Sequence, residues 1–207
     1  KVRIMYILEG NIGAGKSTFL SLITRHLPHI SVGLEPLHNW HTESSGQSLL
    51  QNFYENPERW AYTLETLAMM SRIKEHCIEQ THPSPCRVVE RSIYSGFHCF
   101  ARNSYESGFL TPVEWNIYQE WFACLTQRSC VRPQGFIYLR VEPEIAFERI
   151  KKRGRSAENN ISLEYLTRIN VLHDEFLLEK KSLDKSLADV PVLVLDSTID
   201  FESKVPQ

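Results

Sequence analysis

The stretch Gly10-Asn11-Ile12-Gly13-Ala14-Gly15-Lys16-Ser17 fits the pattern G-x-x-x-x-G-K-[ST] and follows directly on the apolar run Ile4-Met5-Tyr6-Ile7-Leu8. That run reads as a buried strand, and Thr18-Phe19-Leu20-Ser21-Leu22-Ile23 beyond the glycines carries apolar residues at helical spacing. Strand, glycine turn and helix in this order make a phosphate cradle. The glycines let the backbone bend so that successive N–H groups converge on anionic oxygens, and the following helix adds its positive end. The phosphate-holding set is therefore Gly10, Asn11, Gly13, Ala14, Gly15, Lys16, Ser17 and Thr18. Lys16 supplies a point charge for the outer phosphates, and the Ser17 hydroxyl suits Mg²⁺. An ordinary glycine turn is the competing reading; the spacing, the Lys-Ser pair and both flanks argue against it.

Four further short apolar runs read as strands: Ile30–Leu34, Arg87–Glu90, Phe136–Arg140 and Val192–Leu195. Long helical patterns lie between them, so the fold class is α/β, a five-stranded parallel sheet covered by helices on both faces. Ligands in such sheets collect at the carboxyl ends of the strands. That rule selects Glu35-Pro36 after the second strand and Glu90-Arg91-Ser92 after the third. Glu35 is positioned to take a proton from an attacking hydroxyl, with a solvent-facing strand-end glutamate as the plainer alternative. Glu90 suits a carboxylate that orients Mg²⁺, and Arg91 suits a phosphate or a developing charge; a structural ion pair is the plainer alternative.

Three other stretches bear on the site. A helix around Glu58 to Ile78 carries Glu65, Ala68 and Arg72 on one face, with Leu64, Leu67 and Met70 read as core. A pocket wall for a planar polar ligand is one use of that face; a solvated charged pair is the commoner explanation. Arg149-Ile150-Lys151-Lys152-Arg153-Gly154-Arg155 ends a helix as a basic run, with Gly154 as the breaker, and is expected to form a lid over phosphates at about 149–160, with a solvated basic face or a nucleic-acid patch as the competing readings. The helix from Val113 to Leu125 carries Trp115, Tyr118, Trp121 and Phe122, a pattern of core or subunit interface. His38 and His41 are spaced like zinc ligands, but no further ligand completes a site.

Composition bounds the rest. The chain has 207 residues, enough for one full core, and a formal net charge of −2, which argues against nucleic acid or an anionic membrane as partner. No apolar run approaches membrane-spanning length. Cys77, Cys86, Cys99, Cys124 and Cys130 are odd in number and contain no C-x-x-C, which favours a reducing, cytoplasmic setting, with mitochondrial or nuclear settings also open. Lys1 rather than methionine opens the chain, as in a trimmed or processed product. It ends soon after the fifth predicted strand, which leaves a further terminal helix open.

The residues resemble the deoxyribonucleoside kinase family, which includes deoxycytidine, deoxyguanosine and mitochondrial thymidine kinases. The resemblance covers nearly the whole chain, residues 1–207 as one kinase domain. It rests on Glu9-Gly10-Asn11-Ile12, Glu35-Pro36 with Trp40, Tyr54 followed by Pro57-Glu58-Arg59-Trp60, Glu90-Arg91-Ser92-Ile93-Tyr94-Ser95, the Arg149/Arg153/Arg155 lid, and Leu163-Glu164-Tyr165-Leu166. Asn116–Trp121 is closer to the deoxycytidine and deoxyguanosine branch. The resemblance implies transfer of the γ-phosphoryl of ATP or another nucleoside triphosphate to the 5′-hydroxyl of a deoxyribonucleoside, in a homodimer. It implies Glu35 as general base, Arg91 near the 5′-oxygen, Lys16 on the phosphates, and Ser17 and Glu90 on Mg²⁺. Arg149 and Arg155 would clamp the phosphoryl group, Arg153 would stack on the donor base, and the loop with Asp200 and Phe201 would hold that base. Tyr54 and Glu158 would bind the sugar. Trp40, Leu50, Leu64 and Phe100 would wall the acceptor base, with Ile12, Glu65, Ala68, Arg72 and Gly96 completing the pocket.

Two departures stand out. Glu65 occupies the place of a base-reading glutamine, and Gly96 the place of an aspartate in the deoxycytidine and deoxyguanosine branch. Ionised glutamate only accepts hydrogen bonds, so it favours donor-rich edges such as guanine N1–H with its 2-amino group, or the cytosine 4-amino group, and disfavours thymine. Neutralisation of Glu65 by Arg72, or its protonation, is the other possibility. Two alternatives compete with the nucleoside kinase reading. A thymidylate-type nucleoside monophosphate kinase shares sheet, loop and lid, but Glu35 would face the acceptor's phosphate. A non-catalytic nucleotide switch lacks its guanine-reading [NT]-K-x-D here.

Overall fold

The apolar runs assemble into one parallel sheet whose strand order is β2-β5-β1-β6-β7. In this computed structural model, which describes residues 4–35, 41–42, 47–155, 158–199 and 201, the sheet strands are β1 (Ile4–Gly10), β2 (Ser31–Gly33), β5 (Cys86–Glu90), β6 (Gly135–Arg140) and β7 (Val192–Asp196). Strand β1 is central, with Ile7 in register between Val89 and Phe136. All five predicted strands form, each within a few residues of its expected ends.

Because strand side chains alternate, Ile7 and Leu8 enter opposite faces of the sheet. Ile7 packs with Met69, Ile73, Phe136, Tyr138 and Phe176. Leu8 packs with Leu20, Ile23, Val88, Leu139 and Ala146. Both are essentially sealed from solvent. Truncating either to alanine would cost about 2–5 kcal/mol, transfer and cavity terms together.

Local signals set the helix ends. Helix α1 (Lys16–His26) starts from Gly15 in a left-handed conformation. The Asn56 side chain accepts from the Arg59 N–H and Pro57 takes the first turn of α3 (Pro57–Glu79). Thr111 and Glu114 close a capping box on α6 (Pro112–Ser129). Gly154, at φ 63°, ends α7 (Pro143–Arg153), as the basic run predicts. Helix α8 (Leu163–Leu177) is capped by Ser162.

Three features are absent from the sequence reading. Two antiparallel two-residue strands, β3 (His41–Thr42) and β4 (Gln47–Ser48), pair with each other. Helix α2 (Leu49–Glu55) follows them. A π-helical turn over Gly96–Ala101 lies between the short α4 (Ile93–Ser95) and α5 (Arg102–Glu106). One core assignment is also corrected. Met70 is 49% exposed, and its neighbour Met69 enters the core instead, because the buried arc of α3 runs through Leu64, Glu65, Ala68, Met69 and Arg72. The solvated-face explanation of Glu65 and Arg72 fails with it: both are buried.

All five cysteines are free thiols. Among the described residues no helix is long and apolar enough to cross a membrane.

Candidate active site

The glycine loop joins the carboxyl end of β1 to α1. A Cβ at Gly13 would lie 2.5 Å from the Ala146 carbonyl oxygen, so only glycine lets the loop approach α7 this closely. The Asn11 amide nitrogen donates to the Leu166 carbonyl at 2.8 Å, and the Ser197 hydroxyl donates to the Ala14 carbonyl at 2.6 Å. These two bonds tie the loop to α8 and to the end of β7. Lys16 curls back and donates from Nζ to the carbonyls of Gly10 (3.1 Å) and Asn11 (2.9 Å). Burial, with the Arg91 charge adding to it, lowers the Lys16 ammonium to about 7.

Facing the loop are the ends of β2 and β5. Glu35 is buried between two arginines: Arg72 Nη2 donates to its Oε1 at 2.8 Å and Arg91 Nε to its Oε2 at 3.2 Å. Burial pushes the Glu35 carboxyl up, but the charges of Arg91 and Arg72 outweigh it, and the group sits below the usual carboxylate value. Arg91 has φ 59°, a conformation that non-glycine residues rarely adopt, held by its N–H to the Leu8 carbonyl at 2.9 Å. Its Nη1 is buried without a hydrogen-bond partner among the described residues, a donor left over for an incoming oxygen. Glu90 turns Oε2 toward the Glu35 N–H at 3.4 Å. Behind them the fully buried Glu9 accepts from the Ser92 hydroxyl at 2.6 Å.

One cavity of about 260 Å³ runs from the loop to the buried face of α3. Its loop end is lined by Ile12, Gly13, Gly15, Lys16, Ser17 and Thr18, and its floor by Glu35, Glu90 and Arg91. Leu50, Tyr54, Leu64, Glu65, Ala68, Arg72 and Phe100 form the other end. The π-helical turn brings Phe100 under both arginines, whose guanidinium carbons lie 4.8 Å (Arg91) and 5.7 Å (Arg72) from its ring centre. Glu65 accepts from the Ser104 hydroxyl at 3.0 Å, and burial, opposed by the Arg72 charge and this hydrogen bond, lifts its carboxyl to about 7. Gly96 does not line the cavity; a Cβ there would come within 2.7 Å of Arg72 Nη1, so its missing side chain makes room for the guanidinium.

Two arginines of the basic run reach the same cavity. Arg153 and Arg155 both pair with Glu158, the latter at 3.6 Å, and all three line the cavity. Glu158 thus supplies the anion that lets these arginines sit together. Arg149 lies apart, donating to the Thr198 carbonyl at 3.4 Å, and lines a second, adjoining cavity with Gly13, Gly15, Thr18, Arg153, Ile199 and Phe201. Phe201 packs on Phe19. Gly10, Asn11 and Ala14 shape the loop from behind rather than line either cavity. Trp40, Asp200, Pro36 and His38 lie outside the described residues.

Sequence reasoning missed Phe53 and Tyr165 as lining residues, and Ser104 as the partner of Glu65. Tyr165 meets Tyr54 edge-on at 6.1 Å across the cavity. The only advance signal for these was adjacency: Phe53 precedes Tyr54, and Tyr165 sits in the first turn of a capped helix.

Comparison with known proteins agrees along the whole chain. Residues 6–206 match the family model described as deoxynucleoside kinase. Deoxycytidine kinase 2 of Gallus gallus is 38% identical over 219 residues, covering 95% of this chain and 83% of that protein. Deoxycytidine kinase of Homo sapiens is 35% identical, covering 95% and 85%. The mitochondrial deoxyguanosine kinase of Xenopus laevis is 36% identical, covering 95% and 82%.

Proposed function

This chain belongs to the deoxynucleoside kinase family, and on that footing we propose how its residues divide the work. The reaction moves the γ-phosphoryl of a nucleoside triphosphate to the 5′-hydroxyl of a deoxyribonucleoside. The observation that carries the assignment is the single cavity lined at one end by Lys16 and Ser17 and on its floor by Glu35 and Arg91. Glu35 takes the proton of the 5′-hydroxyl. Its depressed titration keeps it ionised at neutral pH, a ready acceptor rather than a strong base. That suffices for a loose phosphoryl transfer, where positioning and charge neutralisation do most of the catalysis. Arg91 spends its spare N–H on the 5′-oxygen. Lys16 and the loop N–H groups hold the donor's phosphates, and Arg149 and Arg155 balance the charge of the group in flight.

The donor is ATP or another nucleoside triphosphate, its base between Arg153 and the loop of Asp200 and Phe201. Residues 1–207 act as one domain, with 149–160 as the lid. Mg²⁺ bound with the donor would neutralise charge on its phosphates. Ser17 and Glu90 would hold it: both are hard oxygen donors lining the same cavity. Among the described residues no cluster of three His, Cys, Asp or Glu could hold a metal alone. An ion bound through phosphates, water and one or two protein oxygens asks for none. Tyr54 and Glu158 serve the sugar; Trp40, Leu50, Leu64 and Phe100 enclose the base, with Ile12, Ala68 and Arg72 beside them. The relatives named for deoxycytidine and deoxyguanosine support a leaning toward those bases.

The chain works as a homodimer through α6, where Val113, Ile117 and Trp121 recur at i, i+4 and i+8 and are exposed. Trp121→Glu should yield monomers by light scattering; unchanged size would refute this face. The free thiols suit a reducing compartment such as the cytoplasm.

The purified protein with Mg-ATP should phosphorylate deoxynucleosides and leave their 5′-monophosphates untouched. Turnover of a monophosphate would favour the thymidylate-type alternative, and ATP hydrolysis indifferent to added deoxynucleoside would favour a switch. Thymidine as clearly the best substrate would defeat the base preference.

A further inference from the structure

Glu65 stands alone at the base end of the cavity. It is buried, it lines the cavity, and among the described residues no cation comes within ion-pair distance of it. The Arg72 guanidinium, two turns along the same helix, has Nη2 on Glu35 instead. Oε1 of Glu65 accepts from Ser104 on α5, while the Tyr118 hydroxyl on α6 donates to the Glu65 backbone carbonyl at 3.4 Å and not to the carboxyl. One neutral hydrogen bond does not repay the desolvation of a buried carboxylate, which then binds a proton.

We propose that Glu65 meets the nucleobase as a carboxylic acid in one state and as a carboxylate in the other, so that one residue reads two different base edges. The inference rests on the kinase reading above. As an acid, Glu65 donates from one oxygen and accepts at the other, which matches an edge with a donor beside an acceptor: the cytosine 4-amino group with N3, or thymine N3–H with O4. As a carboxylate it only accepts, which matches guanine N1–H with its 2-amino group and repels cytosine N3 and thymine O4. The substrate class is therefore broad in the acid form and narrows to deoxyguanosine in the ionised form.

The ionisable groups at the same end of the cavity as Glu65 do not change state over this range; Lys16, at the loop end, does, and it acts on every base alike, so it cancels in the ratio of two bases. Burial raises the hydroxyls of Tyr54 on α2, Tyr118 on α6 and Tyr165 on α8, so they stay neutral. Arg72 on α3 stays charged. Burial lifts Glu65 itself to about 7, which puts the change of state near neutrality.

The test is kcat/KM for deoxyguanosine, deoxycytidine and thymidine with the full chain between about pH 6 and pH 8, where none of these bases titrates. The ratio of deoxyguanosine to each of the others should rise about tenfold across the range, the usual size of one repelled buried contact. In Glu65→Gln, which donates and accepts at every pH, the ratios should be flat. A ratio that is flat in the unmodified protein, or that rises equally in Glu65→Gln, overturns the inference and leaves the kinase reading standing. Failure to phosphorylate any deoxynucleoside overturns both. Should Glu65→Gln not fold, infrared titration of the unmodified protein decides: a protonated-carboxyl band lost around neutrality supports the inference, and no such loss overturns it.

Discussion

Glu35 and Glu65 line the same cavity, are both buried, and carry the same functional group, yet they titrate in opposite directions. Two guanidinium groups hold Glu35 below the ordinary carboxylate value. Among the described residues the Glu65 carboxyl has one hydroxyl for a partner, and it rises to about 7. Burial is common to both, so partners decide the charge. On the proposed reading the difference divides their labour: an ionised acceptor where a proton must be taken up, and a group of variable charge where a base must be read.

The hardest test of this contrast removes the ionised member. Glu35→Gln should lower kcat by about 10²–10⁴-fold, the usual contribution of a positioned general base. Deoxynucleoside binding, measured by calorimetry, should persist. A rate close to the unmodified protein's would break the assignment of Glu35, though not the kinase activity.

The next effect is on stability. A carboxyl raised by folding favours the folded state fully below its ordinary value near 4.5, and this contribution disappears as pH climbs to about 7. The loss is worth about 3 kcal/mol. Denaturant midpoints of the unmodified protein and Glu65→Gln should therefore diverge between about pH 5 and pH 8, the glutamine variant being relatively more stable at the higher value. A constant difference would mean that Glu65 stays charged, and the contrast with Glu35 would be gone.

A smaller effect is expected from Gly96→Ala. The new methyl group would press on Arg72 Nη1 and loosen the guanidinium from Glu35. A cost of about 1 kcal/mol, or a severalfold drop in kcat/KM, should follow. An unchanged rate would show that Arg91 alone suffices to hold Glu35.

The finest adjustment is Ser104→Ala. The Ser104 hydroxyl lowers the Glu65 titration, so its loss should move the pH at which base preference changes upward. The loss of one hydrogen bond is worth about 1 kcal/mol, less than a full pH unit. The midpoint of the deoxyguanosine-to-thymidine ratio reads this directly, and a downward move would contradict the hydrogen bond's role.

Legibility followed the range of the interactions. The phosphate loop, the five strands and the end of α7 at Gly154 were readable because each depends on residues near in sequence. Glu35 and Glu90 could be selected because ligands gather where parallel strands end. The pairing of β3 with β4 escaped because two-residue strands carry no periodic signal. The helix pattern alone left Arg72 open for a different reason. A charged pair on a helix is ordinarily solvated, and its partner Glu35 lies 37 residues away on another element.

The order of residues along the chain by itself determined the α/β class and the phosphate loop, since these depend on periodicity, glycine chemistry and short motifs; most of the side chains expected around the acceptor end of the cavity were named only through the family resemblance. Only the tertiary structure decided which carboxylate keeps its charge. That outcome depends on whether a guanidinium from a distant element arrives within about 3 Å, and Coulomb energy in a dry interior changes steeply over that distance.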